Sequence, residues 1–128
     1  MPEVKSPQLA VIAPVFQVTD LAASLAYYRD RLLFESRFEW ADTDAEPVRY
    51  AILCRDKVEL HLAQNGAPRP ATAYCFVDGI DGYYALVRDA GATITEAITD
   101  RPWEMREFGS ADPDGNMLYF GEHLDRIN

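Results

Sequence analysis

The chain has 128 residues, 48% hydrophobic and 26% charged, which excludes intrinsic disorder and leaves room for a single domain with its own core. Twelve Lys and Arg against twenty-one Asp and Glu give a net charge of −9. Such a field repels phosphate backbones and anionic lipid and favours cationic ligands, so nucleic-acid binding is the first class excluded.

In chain order, residues 9–18 form a branched, apolar run that reads as the first strand. Pro14 within it cannot donate to a sheet ladder and marks an edge, a bulge or a strand that leaves its own subunit. Asp20 is a good N-cap, and Leu21, Leu25, Tyr28 and Leu32 then fall on one face of an amphipathic helix. Three strands are expected over residues 34–41, 48–54 and 58–63, the last two joined by an Asp56–Lys57 turn. Residues 64–70, with Asn65–Gly66 and two prolines, read as a linker.

The pattern then starts again. Residues 72–77 are a strand; Ile80, Tyr84 and Val87 define a helical face that Gly91 terminates. Strands are expected over 93–98, 105–111 and 117–121, with Asp112, Pro113, Asp114 and Gly115 as a turn. A shift of 59 places Val18 on Val77, Leu21 on Ile80, Ala26 on Ala85, Arg29 on Arg88 and Asp30 on Asp89. The reading is an α+β fold: two repeated βαβββ modules forming a cup-shaped curved mixed sheet with helices on the outside, module 1 about residues 9–64 and module 2 about 71–122.

Cys54 and Cys75 are too few for a disulfide framework and read as small buried hydrophobes. Residues 1–10 contain no apolar signal-peptide core and no run is long enough for a membrane span, so the expectation is a cytoplasmic protein. No Gly-rich phosphate loop, nucleophile elbow or His-rich spacing is present. Glu35 and Glu39, and the charges between Glu104 and Glu107, read as solvated strand and loop groups.

Two segments resemble a known superfamily. Residues 14–33, from Pro14–Val15–Phe16–Gln17 through Tyr28–Arg29–Asp30–Arg31, look like the first strand and helix of the vicinal oxygen chelate group, which includes glyoxalase I, extradiol dioxygenases and bleomycin-resistance proteins. Residues 112–122 look like its closing hairpin. Ala13–Pro14–Val15, the helix segment 28–32, and Pro102–Trp103 before Arg106–Glu107–Phe108 make the bleomycin-resistance proteins the nearest likeness, although Trp103 and Arg106 stand one residue further apart than usual. The resemblance makes residues 1–128 one domain of this kind.

The superfamily's enzymes hold a divalent metal with one side chain from each of four strands. The resemblance carries those positions onto Ala13, Glu59, Thr72 and Tyr119. Alanine has no donor, and neutral Thr and Tyr oxygens are poor ones, so neither a metal nor any other cofactor is expected. No catalytic residue is assigned. The alternative is a metal-dependent glyoxalase- or dioxygenase-like enzyme using Glu59 with His61, an i, i+2 pair on one strand face.

Residues 34–40 alternate Phe34, Ser36, Phe38 and Trp40 against charged residues, a strand with one apolar face. Ile12, Phe16, Leu21 and Leu25 are expected to supply the core under the helix. That leaves Phe38, Trp40, Trp103 and Tyr119 to line the cup, with Glu59, His61 and Thr72 as polar handles. The resemblance implies sequestration of a bulky cationic, aromatic small molecule of the bleomycin type, without chemical change. It also implies a homodimer with an exchanged first strand hinging near Pro14.

Overall fold

The computed structural model describes residues 6–127. Module 1 runs β1 (Val15–Gln17), α1 (Leu21–Asp30), β2 (Glu35–Trp40), β3 (Tyr50–Arg55) and β4 (Val58–Ala63). Module 2 runs β5 (Thr72–Phe76), α2 (Ile80–Asp89), β6 (Ile94–Arg101), β7 (Met105–Ala111) and β8 (Met117–His123), and a short helix, α3 (Leu124–Ile127), follows. Each module builds one four-stranded mixed sheet, ordered β1-β4-β3-β2 and β5-β8-β7-β6, with the first strand parallel to the last and the rest antiparallel. The repeated βαβββ architecture is therefore realised twice, and the two long helices start 59 residues apart as the repeat requires.

Local chemistry accounts for the elements. Asp20 is extended and its carboxylate accepts from the Ala23 amide, capping α1, while the Gln64 side chain accepts from the Leu21 amide. Leu21, Leu25, Tyr28 and Leu32 are all buried. The β3–β4 hairpin closes in two residues, Asp56 taking the left-handed conformation that Asp tolerates. Leucines 60 and 62, and Leu118 and Phe120, face the helices; the residues between them face the other way.

The modules share one core. Tyr28 and Leu32 of the first belong to the same buried cluster as Tyr83, Val87, Phe108 and Phe120 of the second. Hydrogen bonds tie this junction: the Tyr83 hydroxyl donates to the Leu32 carbonyl at 2.7 Å, and the Asn116 amide donates to the Gln17 carbonyl.

Several expectations need correction. The first strand spans only Val15–Gln17, and residues 9–14 lie outside any sheet. Ile12 is not core: it is 95% exposed, and Leu9 and Val11 are exposed too, because none of the described residues covers this arm. The alternation in β2 breaks at a bulge between Ser36 and Phe38, so Phe34 turns into the core while Phe38 and Trp40 face outward on the opposite side. In α2 the buried tyrosine is Tyr83, one residue before the expected Tyr84, which is only partly covered. Both cysteines are half-buried rather than enclosed. No helix among the described residues is long and apolar enough to cross a membrane.

Candidate functional site

The faces of the two sheets turned away from the helices carry the candidate chemistry. In module 1, Val15, His61, Ile52 and Phe38 form one row across all four strands, and Tyr50 pairs with Trp40 in the next. A polar chain runs beside the row. The Tyr50 hydroxyl meets His61 Nδ1 at 2.6 Å, His61 Nε2 meets Glu59 Oε2 at 3.0 Å, and Arg37 pairs with the other Glu59 oxygen. A neutral imidazole satisfies the chain, accepting from Tyr50 and donating to Glu59. The His61 bond and the nearby Arg37 guanidinium hold the Glu59 carboxyl below its ordinary range. Trp40 carries the Arg49 guanidinium over its ring at 4.9 Å, and Asp42 in turn holds Arg49.

In module 2, Thr72, Tyr74 and Phe76 of β5 share a face with Tyr119 and Gly121 of β8 and with Glu107 and Gly109 of β7. Glu107 is the surprise. Read from the sequence as a solvated charge, it is 5% exposed and accepts from the Tyr74 hydroxyl at 2.6 Å. The correction has a simple cause: residue parity along β7 points Glu107 onto the face turned away from the helices, and there Tyr74 and Arg101 cover it.

Two glycines make this packing possible. A Cβ on Gly121 would overlap the Tyr74 hydroxyl, and one on Gly109 would stand 3.0 Å from the Tyr119 ring. Neither glycine has a positive φ, so the requirement is space for rings lying flat on the sheet. Burial, reinforced by the bond to Glu107, pushes the Tyr74 phenol up; burial and the Glu96 carboxylate do the same to Tyr119. Trp103, in the β6–β7 turn, is 59% exposed with the Arg101 guanidinium 5.7 Å from its ring. Phe76 stacks on His123 at 5.6 Å.

Of the sequence-predicted residues, Phe38, Trp40, Glu59 and His61 thus lie on the module 1 sheet, and Thr72, Trp103 and Tyr119 belong to module 2. Glu59 and His61 touch; among the described residues no hydrogen bond or ring contact joins the first group to the second. Sequence reasoning missed Tyr50, Tyr74, Phe76, Arg101 and Glu107. The period-2 pattern of β5, Thr72–Tyr74–Phe76, was the available signal for two of them.

Between the modules runs an open slot of about 450 Å³, lined by Val58–Leu60 of β4 and Ala73–Phe76 of β5, with Ala13 and Pro14 also in its lining. β1 pairs with only His61, Leu62 and Ala63, so the first half of β4 has no neighbour there.

The donor set does not fit a metal. At the four positions Ala13 offers nothing, Thr72 is an exposed hydroxyl, and Tyr119 is a phenol whose deprotonation burial and the Glu96 carboxylate disfavour. Both oxygens of Glu59 are already engaged. No three His, Cys, Asp or Glu side chains among the described residues converge to hold an ion.

Paired βαβββ modules with open sheet faces define a fold class of their own. The sequence model for the glyoxalase/bleomycin resistance protein/dioxygenase superfamily matches residues 8–120, and the chain belongs to that superfamily. No curated protein sequence matches it. Among solved structures, TioX from Micromonospora sp. ML1 is similar at a TM-score of 0.77 and 18% identity, over 90% of this chain and 99% of that one. The bleomycin-binding protein of Streptomyces verticillus, solved with copper(II)-bleomycin, has a TM-score of 0.72 and 21% identity, over 90% and 97%. Lactoylglutathione lyase from Agrobacterium tumefaciens gives 0.69 and 18%, over 91% and 96%. These likenesses concern the fold.

Proposed function

We propose that this protein binds a bulky, cationic, partly aromatic small molecule of the bleomycin type and releases it unaltered. The observation that carries the reading is the lining of the two open sheet faces: exposed Phe38, Trp40, Tyr74, Phe76 and Trp103 stand beside the carboxylates Glu59 and Glu107. Rings of this kind stack on flat ligands and attract cations, and the net charge of −9 adds a long-range pull. The likeness to a bleomycin-binding protein supports the same ligand class. In this reading Phe38, Trp40, Glu59, His61, Thr72, Trp103 and Tyr119 contact the ligand. An enzyme using Glu59 and His61 on a metal is the second reading, and the prior engagement of Glu59 by Arg37 counts against it.

The binding unit we propose is a homodimer exchanging its first strand at Pro14. Three features support it: an apolar arm over residues 9–12 without cover, the unpaired start of β4, and a slot between two free strand edges. An arm from a second copy would satisfy all three. Light scattering at micromolar concentration is expected to give twice the chain mass; a monomer overturns the dimer.

Titration with bleomycin, followed by tryptophan fluorescence and by mass spectrometry of the recovered drug, tests the function. Saturable quenching and an unchanged drug mass are expected. Trp103→Ala should weaken binding by about 1–3 kcal/mol, mainly as faster release. Unchanged fluorescence and melting temperature at millimolar drug would defeat the proposal.

A further inference from the structure

Arg101 is a cation set among two carboxylates and an aromatic ring. It leaves the end of β6 and places its guanidinium between Glu96, at 3.7 Å, and the buried Glu107, at 3.5 Å, with the Trp103 ring 5.7 Å from its central carbon. These are the partners a planar cation needs: two carboxylates and one aromatic face. Yet the fit is loose. Arg101 Nε is buried without a hydrogen-bond partner, and the approach to Glu96 is beyond hydrogen-bonding range. Contrast Arg106, which grips Asp100 at 2.7 Å and Asp81 at 2.9 Å.

A guanidinium held this way covers Glu107 without satisfying it. The carboxylate keeps one strong bond, from Tyr74, and has capacity for more. Glu96 and Trp103 are both open to solvent on their outer sides, so Arg101 can swing away without unfolding its strand. No other basic side chain among the described residues pairs with either carboxylate.

We propose that Glu96, Glu107 and Trp103 form a receptor for a planar amidinium or guanidinium, which Arg101 fills in the resting protein and which the ligand's cationic end takes over by displacing it. This rests on the reading that the open faces take a cationic ligand, and deepens it by naming the group recognised. Arg101 then competes with the ligand. Its removal strengthens binding, opposite to the behaviour of an ordinary contact residue.

The test uses benzamidine, a planar aromatic cation, with neutral benzamide as its isostere, by calorimetry on the full chain. Arg101→Ala is expected to bind benzamidine about tenfold tighter than the parent protein, and Glu107→Gln in that background to abolish the gain. Arg101→Gln, which keeps the stem over Glu107, serves if the alanine variant folds poorly, and should shift in the same direction. Equal affinity with and without Arg101, or an equal gain for benzamide, overturns the receptor. Bleomycin titrated into the parent protein separates the two readings. Drug binding with no gain on removing Arg101 overturns the receptor alone, whereas a benzamidine gain without drug binding supports the receptor and removes the proposed ligand.

Discussion

Single side chains carry more of the inter-module junction than their number suggests. Asp112 is buried and accepts from the Tyr28 hydroxyl, the Asn116 backbone and side-chain amides and the Asp114 amide, all at 2.9 Å. It locks the β7–β8 turn to α1 of the other module. Asp112→Ala strands Tyr28 and Asn116 without their acceptor, and should cost about 3–4 kcal/mol of unfolding free energy in urea titration. A loss below about 1 kcal/mol would show that the junction does not depend on it. The turn itself was legible from Asp112, Pro113 and Gly115, but the Tyr28 contact was not, since it joins residues far apart in sequence.

At the scale of elements, the two long helices are capped by different means. Asp20 caps α1 from the adjacent position, as sequence rules anticipate. α2 begins after Gly79, which has a φ of 88° and no side chain to offer; the Glu122 carboxylate, from the end of β8, accepts from the Gly79 and Ile80 amides instead. Glu122→Ala should therefore lower stability by about 1 kcal/mol and speed amide exchange in the first turn of α2, leaving α1 unaffected. Uniform exchange in both helices would contradict it. The sheet face of module 2 depends likewise on Gly121. Gly121→Ala is expected to expel Tyr74 from Glu107 and destabilise by about 1–3 kcal/mol, and Tyr74→Ala in the same chain should recover part of that loss.

For the whole molecule, the buried tyrosines set an alkaline limit. Burial raises Tyr28 and Tyr83 well above the ordinary 10.0, with Asp112 adding to the rise at Tyr28. A raised native pKa means that the unfolded chain loses its protons first. The stabilisation is whole below pH 10 and falls as pH rises beyond it. Melting temperature should be flat up to that point and drop above it, with phenolate absorbance from these rings appearing together with the loss of far-ultraviolet dichroism. Phenolate formation at Tyr28 or Tyr83 in a still-folded chain would refute the assignment. At the same scale, steering by the net charge of −9 is screened within about 10 Å at 0.1 M salt, so added salt should slow association with a cationic ligand.

Local and periodic features were readable from the chain itself. The 59-residue repeat, the Leu21–Leu25–Tyr28–Leu32 face, the Asp20 cap and the β3–β4 and β7–β8 turns all depend on neighbours within a few residues or on a pattern that recurs. Glu59 and His61 were legible as a pair for the same reason, an i, i+2 spacing on one strand. Tertiary structure decided whatever depends on which distant residue arrives opposite. The β2 bulge separates Phe34 from Phe38, and the uncovered arm leaves Ile12 outside the core. Glu107 is buried because Tyr74, from a strand 33 residues away in sequence, and Arg101, from the adjoining strand of its own hairpin, close over it. Spacing along a chain fixes which way a side chain points, whereas burial is fixed by what packs against it, and only the folded molecule brings those partners together.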